Sequence, residues 1–295
     1  MSPPFRFLFW GTESRLSYEA LAQLLAADLR PDAVVIPAPP LQEAPVLRLD
    51  LAPQGQMLPT RSTTPGMLAL SAEVPVWRVG ALQDSSVIDL VRDFDPAVVV
   101  VACFPRLIPA TLLAMPPHGF LNVHPSLLPA YRGPVPAFWQ FRDGLAETGV
   151  TLHRMDETFD TGAILAQTSF EMPPGISGPD ADIRYGQVGG RLLVENLGAY
   201  CRGEVTLRPQ GDGGQYLSRP QAADFWLDTA WPAERAFRFM RGTQDWYRKY
   251  PVRVGDELFR LRIALDWRAG TLGAPVLVVE DLVEIQFADG VLTAR

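Results

Sequence analysis

The chain has 295 residues, of which 47% are hydrophobic and 20% are charged, a composition that fits one large or two medium folded domains and excludes intrinsic disorder. It has no run of about 18 apolar residues, so no membrane-spanning helix is predicted, and its formal charge of −7 disfavours broad nucleic-acid binding. Its two cysteines, Cys103 and Cys201, lead us to expect a reduced, cytoplasmic protein without disulfides.

The first part of the chain alternates short hydrophobic runs with amphipathic stretches. Buried strands are predicted at residues 5–10, 33–36, 76–79 and 97–103, and helices from the first strand to about residue 29, at 85–94 and at 107–115. Strands separated by helices favour a doubly wound, Rossmann-like α/β fold with a parallel sheet. Only one glycine, Gly11, follows the first strand, so no dinucleotide fingerprint is predicted.

A proline-rich segment, residues 37–75, interrupts this alternation. It cannot form one regular element, because proline lacks the backbone N–H that helices and central strands use. A short helix is predicted at 67–73, and the length of the segment suggests a functional or mobile loop. Within residues 37–65 the only cations are Arg48 and Arg61.

Residues 119–162 contain the polar side chains that are most suggestive of function. The run 120–123 predicts the end of a buried strand, on which Asn122 and His124 share one face. Pro125 then prevents further pairing, and ligands of open α/β sheets bind at this edge. The next predicted elements are a helix, a strand, a polar turn and another strand, at 134–141, 150–155, 156–162 and 163–170.

The carboxyl-terminal part has a different pattern. A long amphipathic helix is predicted at 180–202, followed by a glycine-containing linker at 206–216. A helix at 232–240 then precedes short alternating runs that favour a small antiparallel barrel, at 258–265, 276–279, 282–287 and 291–293. We therefore expect a catalytic domain at 1–205, a linker at 206–216 and a smaller β-rich domain at 217–295.

Two segments in order, NVHPSLLPAYRG and TGVTLHRMDETFDTG, resemble the catalytic core of the folate-dependent formyltransferases. The active site of that family is an Asn-x-His at a strand end with an aspartate in a later DxG loop, and this chain matches it at Asn122, His124 and Asp160. Each motif alone is weak, but the ordered set, with SLLP and RG between, is specific. The resemblance extends over most of the chain.

The resemblance implies a donor, 10-formyltetrahydrofolate, whereas the residues themselves lead us to expect no metal. It places the donor against three loops, with contacts from Phe104, Pro105, Leu107, Ser126, Leu127, Leu128, Pro129 and Asp156. The three histidines of the chain show no spacing typical of metal ligands. The tail resembles the OB-like carboxyl-terminal domain of the methionyl-tRNA formyltransferases.

Formyl transfer to an amine needs donors for a developing oxyanion and an acceptor for the amine proton. The Asn122 amide and a protonated His124 can supply the donors, and Asp160 can orient His124 and accept the proton, directly or through a water. The alternative is that Asn122 and His124 only hold a loop. We expect His153 to pack within its strand and His118 within a turn.

The sequence leaves the acceptor open. A tRNA acceptor is favoured by the two-domain plan and by a set of cations in the tail, which form either a solvated helix face or a phosphate-contacting one: Arg235, Arg238, Arg241, Arg248 and Lys249. An amino sugar or nucleotide-linked amine is favoured by the acidic charge and by the scarcity of cations in 37–65. A 10-formyltetrahydrofolate hydrolase and a folate-binding protein without turnover are further alternatives. The tail favours the tRNA interpretation.

Overall fold

An eight-stranded mixed sheet dominates the computed structural model, which describes residues 5–39, 45–50, 64–211 and 213–295. Its order is β3-β4-β2-β1-β5-β6-β7-β8, and the strands are β1 (Phe7–Gly11), β2 (Ala33–Pro37), β3 (Val46–Leu49), β4 (Val76–Val79), β5 (Val98–Ala102), β6 (Phe120–His124), β7 (Glu147–Arg154) and β8 (Ile164–Glu171). The pairs β1–β2, β1–β5, β2–β4 and β5–β6 are parallel, whereas β3–β4 and β6–β7 are antiparallel. The predicted Rossmann-like α/β fold is thus confirmed, although the sheet is mixed and not wholly parallel.

Helices connect these strands, and polar side chains cap several of them. They are α1 (Arg15–Ala26), α2 (Pro65–Ser71), α3 (Ser85–Phe94), α4 (Ala110–Leu113), α5 (Pro136–Asp143) and α6 (Gly178–Cys201). Ser14, Thr64 and Asp84 each accept a backbone N–H of the first turn of α1, α2 and α3, which satisfies a donor that the helix itself leaves unpaired. No helix in the described residues is long and apolar enough to cross a membrane.

The central strands β1 and β5 are buried along their whole length. Their continuous hydrophobic sequences are typical of parallel strands covered on both faces. Complete burial of one such large side chain contributes about 1.5–3 kcal/mol. The ring of Trp10 lies 5.1 Å from that of Phe104 and 5.5 Å from that of Phe120, measured between centroids. The parallel pairing of β1 with β5 and of β5 with β6 places the carboxyl ends of the three strands at one edge of the sheet, where the strand order reverses.

The chain divides into two compact units. The first comprises the described residues of Met1–Arg132, Gly149–Thr168 and Asp182–Gln215, and the second those of Gly133–Thr148, Ser169–Ala181 and Tyr216–Arg295. The second unit therefore includes two segments that precede the predicted tail domain. The functional division into 1–205, 206–216 and 217–295 stays a prediction.

The second unit contains antiparallel strands around an aromatic centre. Its elements after α5 include α7 (Ala233–Gly242), β9 (Tyr250–Val254), β10 (Glu257–Leu261), β11 (Ala264–Ala269), β12 (Val276–Val279), β13 (Leu282–Gln286) and β14 (Gly290–Ala294). Strands β9 and β10 form one sheet, and a second has the order β11-β14-β13-β12. The ring of Phe138 lies 5.2 Å from Phe225 and 5.4 Å from Phe239, and each such pair adds about 0.5–1.5 kcal/mol. The antiparallel tail is confirmed, but its described strands form two sheets.

The sequence prediction lacked strands β3 and β9, and its single run 258–265 corresponds to two strands, β10 and the start of β11. Within the proline-rich segment 37–75, β3 pairs with β4, and the helix predicted at 67–73 is α2. Residues 40–44 and 51–63 of that segment, including Arg61, lie outside the described residues.

Candidate functional site

The three residues predicted to be catalytic come together at the carboxyl end of β6. Asn122 and His124 lie on this strand, and Asp160 belongs to the loop between β7 and β8. The Asp160 Oδ1 atom lies 3.5 Å from His124 Nδ1, within the range of an ion pair but beyond a direct hydrogen bond. The His124 ring is buried and Asp160 is half-buried. The predicted proximity of an imidazole and a carboxylate is therefore present.

Both ring nitrogens of His124 face oxygen acceptors. Nε2 lies 3.0 Å from the backbone oxygen of Tyr131, to which it donates, and Nδ1 faces Asp160. The ring is therefore held between a backbone carbonyl and a carboxylate, which fixes its orientation.

A second histidine, His153, also belongs to the site. It lies directly across from Asn122 in the β6–β7 pairing, and its Nε2 accepts a hydrogen bond of 3.1 Å from the Asn122 amide nitrogen. The same Nε2 lies 3.7 Å from Asp160 Oδ1, and Nδ1 donates to the Arg154 carbonyl at 3.3 Å. The expectation that His153 only packs within its strand is wrong, because its ring bonds to a predicted catalytic side chain.

Burial keeps His153 neutral. Desolvation of the buried ring, together with a smaller effect of the nearby His124, lowers the pKa of His153 to about 4 against the opposing effect of Asp160. A neutral ring with its proton on Nδ1 presents a lone pair on Nε2, which is what the Asn122 amide requires. His153 thereby fixes the orientation of the Asn122 amide. Alternation along the strand predicted at 150–155 places His153 on the same face as Thr151. It does not indicate which residue of a neighbouring strand lies beside His153.

The loop that carries Asp160 is held by its own hydrogen bonds. The carboxylate of Asp156 accepts from the backbone N–H of Thr158 at 3.0 Å and from the hydroxyl of Thr161 at 2.8 Å. Asp160 itself has φ of 57°, in the left-handed region. A Cβ on Gly162 would lie 1.7 Å from the Arg154 carbonyl oxygen, so only glycine fits there. The DTG sequence therefore specifies a tight turn that presents Asp160.

The predicted donor contacts lie in three loops of the first unit, with different degrees of exposure. Ser126 and Leu128 are buried, and Phe104, Pro129 and Asp156 are half-buried. The exposed contacts are Pro105, Leu107 and Leu127. The hydroxyl of Ser126 donates to the Ala130 carbonyl at 2.7 Å, a bond that shapes the loop. Their contact with the donor stays a prediction.

The two site histidines and Asp160 also have the geometry of a possible metal site. One ligand atom from each lies within 4.8 Å of the others. Two imidazoles and a carboxylate are donors that suit zinc, yet the His153 lone pair already accepts from Asn122. Asp160 lies within ion-pair distance of both histidines. The prediction of a site without metal stays a prediction.

The cations predicted on the tail helix are largely engaged within the second unit. Arg238 is only 8% exposed; its guanidinium lies 2.6 Å from Glu234 and donates to the Met172 carbonyl at 2.6 Å. The prediction that Arg238 belongs to an open basic face is wrong, because burial and these two acceptors occupy its charge.

Arg235 and Arg241 also have internal partners. The Arg235 guanidinium lies 4.1 Å from the centroid of the Trp231 ring, and its Nε donates to the Arg142 carbonyl at 2.8 Å. Arg241 donates to the carbonyl of Gly175 at 3.4 Å. These side chains hold the second unit together, and their availability to phosphates is reduced accordingly.

A different group of cations of the second unit is exposed. Arg248 and Lys249 precede β9, and Arg253 of β9 and Arg260 of β10 lie on the outward face of the hairpin, opposite the buried Tyr250 and Val252. We call these four cations the hairpin basic surface. None of them forms an ion pair with any residue that the structure describes. Tyr247, which is 93% exposed, lies next to Arg248.

Comparison with known proteins agrees with the motif. The family described as "Formyl transferase" matches residues 52–197. A methionyl-tRNA formyltransferase of Chloroflexus aggregans is 38% identical over 192 residues, which are 64% of this chain and 62% of that protein. The match thus spans less than two thirds of that relative. A methionyl-tRNA formyltransferase of Thermus thermophilus is 33% identical over 240 residues, 81% of this chain and 78% of the relative.

The fold also resembles a solved structure. The N-formyltransferase from Helicobacter canadensis, in complex with folinic acid and dTDP-3-aminofucose, superposes with a TM-score of 0.66 over 97% of each chain, at 16% identity. This likeness concerns the fold. The identity to the Thermus thermophilus protein over most of its length, together with the site motif, shows that the chain belongs to the folate-dependent formyltransferase family.

Proposed function

We propose that the protein transfers the formyl group of 10-formyltetrahydrofolate to the amino group of methionyl-tRNA. The observation that carries this proposal is the convergence of Asn122, His124 and Asp160 at the end of β6. Formylation of a charged tRNA occurs where proteins are synthesised, so we also propose a cytoplasmic location.

The roles of the side chains follow from their contacts. The Asn122 amide donates one N–H to His153 and retains a second N–H that can meet the oxyanion of the formyl group. A protonated His124 adds positive charge beside it. The amine nitrogen must lose a proton as it attacks, and the Asp160 carboxylate, 3.5 Å from His124, can accept it directly or through a water. The bond between the formyl carbon and the donor nitrogen then breaks, and that nitrogen leaves as tetrahydrofolate with the proton returned from the site. The neutral His153 keeps the amide oriented throughout.

The proposed tRNA acceptor is supported by the curated relatives and by the second unit. Two relatives at 38% and 33% identity act, by their names, on methionyl-tRNA, whereas the amino-sugar complex belongs to a protein of 16% identity. We propose that the antiparallel strands of the second unit form an OB-like module and that the hairpin basic surface contacts tRNA phosphates. We thus retain Arg248 and Lys249 as predicted phosphate contacts. Arg253 and Arg260 replace the buried Arg238 in this proposed role.

A nucleotide-linked amino sugar is the second candidate acceptor. It is favoured by the formal charge of −7 and by the scarcity of cations in residues 37–65, where the sequence has only Arg48 and Arg61. A small acceptor does not need an extended basic surface. The chemistry at Asn122, His124 and Asp160 would be the same.

The test is a formylation assay with 10-formyltetrahydrofolate and, in parallel, charged initiator tRNA or dTDP-3-aminofucose. We expect the methionine of the tRNA to gain the mass of one CO unit, and Asp160→Asn to slow that gain by roughly a hundredfold or more. Formylation of the amino sugar with none on tRNA would transfer the proposal to the second candidate. Folate analogues should raise the melting temperature by mass action, whereas NAD should leave it unchanged.

A further inference from the structure

The linker predicted at 206–216 is bonded to the first unit along much of its described length. The backbone N–H of Arg208 donates to the Ile164 carbonyl at 2.8 Å, and the N–H of Ile164 donates back to Arg208 at 2.7 Å. The guanidinium of Arg132 donates to the carbonyl of Gly213 at 2.7 Å. The described residues of 207–215, which we call the strap, therefore run along the site and do not act as a free tether.

One side chain of the strap reaches the catalytic loop. The amide nitrogen of Gln210 donates to two carbonyls of that loop, those of Asp160 at 2.9 Å and Gly162 at 2.7 Å. Both N–H groups of the amide are thereby used. Its Oε1 atom is buried without a hydrogen-bond partner in the structure, which indicates that the side chain is placed for its donors. A single amide thus joins the two ends of the tripeptide 160–162.

The backbone at Asp160 needs such support. Its φ of 57° lies in the left-handed region, which is unfavourable for a residue that is not glycine. This conformation sets the direction of the carboxylate toward His124 Nδ1, 3.5 Å away. The two hydrogen bonds from Gln210 hold the carbonyls of Asp160 and Gly162 and so oppose relaxation of this turn. Without them the loop can relax and turn the carboxylate away from the histidine.

We propose that Gln210 is a positioning residue that holds Asp160 in its left-handed conformation and thereby sets the catalytic carboxylate. The role rests on the proposed formyl transfer, since it acts through Asp160 and not by contact with a reacting atom. A displacement of about 1 Å in a catalytic group can lower turnover by roughly a hundredfold. Gln210→Ala should therefore lower kcat about 10- to 100-fold and leave the KM for the tRNA little changed.

The matched control is Gln215→Ala. Gln215 is an exposed glutamine of the same strap, so its truncation should leave kcat unchanged. A double variant makes the test more specific. In the Asp160→Asn background, Gln210→Ala should cause almost no further loss of kcat, because both substitutions remove the same function, that of the positioned carboxylate. Additive losses in the double variant, or a Gln210→Ala enzyme with the kcat of the wild type, would overturn the proposal.

Hydrogen exchange provides a readout that does not depend on activity. The amides of residues 160–162 should exchange faster in Gln210→Ala than in the wild type or Gln215→Ala, because the loop opens more often. If wild-type protein formylates no acceptor, the proposed function fails while this comparison still tests the strap. Unchanged exchange in the loop would contradict the role of Gln210 whatever the reaction. Should Gln210→Ala fail to fold, Gln210→Glu, which keeps the side-chain length and loses the donors, takes its place.

Discussion

The site at the end of β6 and the cations of α7 were both predicted from the spacing of polar side chains. The side chains of the site come together as predicted, whereas the cations of α7 do not form an open face. Asn122 and His124 lie where the strand ends, and Asp160 reaches them from a separate loop. On α7, by contrast, Arg235 and Arg238 face a tryptophan ring, a glutamate and backbone carbonyls of the second unit.

The difference comes from what determines the exposure of each group. The carboxyl ends of neighbouring parallel strands meet at one sheet edge, so a polar residue after a buried strand is placed by topology alone. The exposure of a helix face depends on which elements pack against it, and helical spacing carries no such information. Arg238 shows the consequence, because a cation that looks like part of a binding face can be a buried structural partner.

The largest effect is expected from the catalytic carboxylate. Asp160→Asn keeps the shape of the side chain and removes the proton acceptor, so turnover should fall by roughly a hundredfold or more. Asn122→Ala and His124→Ala should cause losses of the same order. Steady-state kinetics would measure this, and Glu157→Gln, in an exposed carboxylate of the same loop, should retain full activity. Equal losses of thermal stability in the three site variants, with turnover intact, would mean that the residues only hold a loop.

The pH dependence of stability tests the second histidine of the site. Burial depresses the pKa of His153 to about 4, so between pH 4 and the unfolded value near 6.5 the unfolded chain binds more protons. Stability is therefore fully present above about pH 6.5 and falls as the pH drops through this window, by at most about 3 kcal/mol. Denaturant midpoints measured from pH 7 to 4 should fall less steeply for His153→Phe. An identical slope in wild type and variant would show that His153 does not titrate with unfolding.

The elements that the sequence predicted well are those whose signals are local. The bounds predicted for β4 and α3 are those observed, since a short hydrophobic run and the Asp84 cap mark them. Strand β9 was missed because it contains Pro251, which edge strands tolerate when the missing N–H is not needed by a neighbour. Strand β3 was missed because β4, with which it pairs among the described residues, is distant in sequence.

Within the site, the sequence predicted three of the four residues that meet. His153 was not predicted as a site residue because its role depends on the antiparallel pairing of β6 with β7, which places it across from Asn122. Gln210 escaped because a glycine-containing stretch suggests a linker, and only the fold brings its amide to the Asp160 loop. Residues that act on side chains close in space but distant in sequence lie beyond pattern analysis.

A smaller effect is expected from the buried arginine of α7. Arg238→Ala removes the partner of Glu234 and leaves the Met172 carbonyl without its charged donor, which should lower the free energy of unfolding by about 2 kcal/mol. Arg248→Ala, at an exposed position, should change it by less than about 0.5 kcal/mol. Denaturant titration measures both. Equal and small losses of unfolding free energy in the two variants would show that Arg238 is not a structural partner and is available as a surface cation.

The smallest effect on the fold and the most specific effect on the acceptor are expected at the hairpin basic surface. If tRNA binds there, each of Lys249→Ala and Arg253→Ala should reduce the slope of log affinity against log salt concentration by about 1, because one fewer counterion is released. The control is Arg268→Ala in the same unit, whose guanidinium lies 3.6 Å from Glu284; an arginine already paired should contribute little to that slope. Binding measured from low to moderate salt distinguishes the cases. Equal slopes in all four proteins would exclude the hairpin as the tRNA contact, while activity on an amino sugar that is insensitive to these substitutions would favour the small acceptor, since the chemistry belongs to the site at β6.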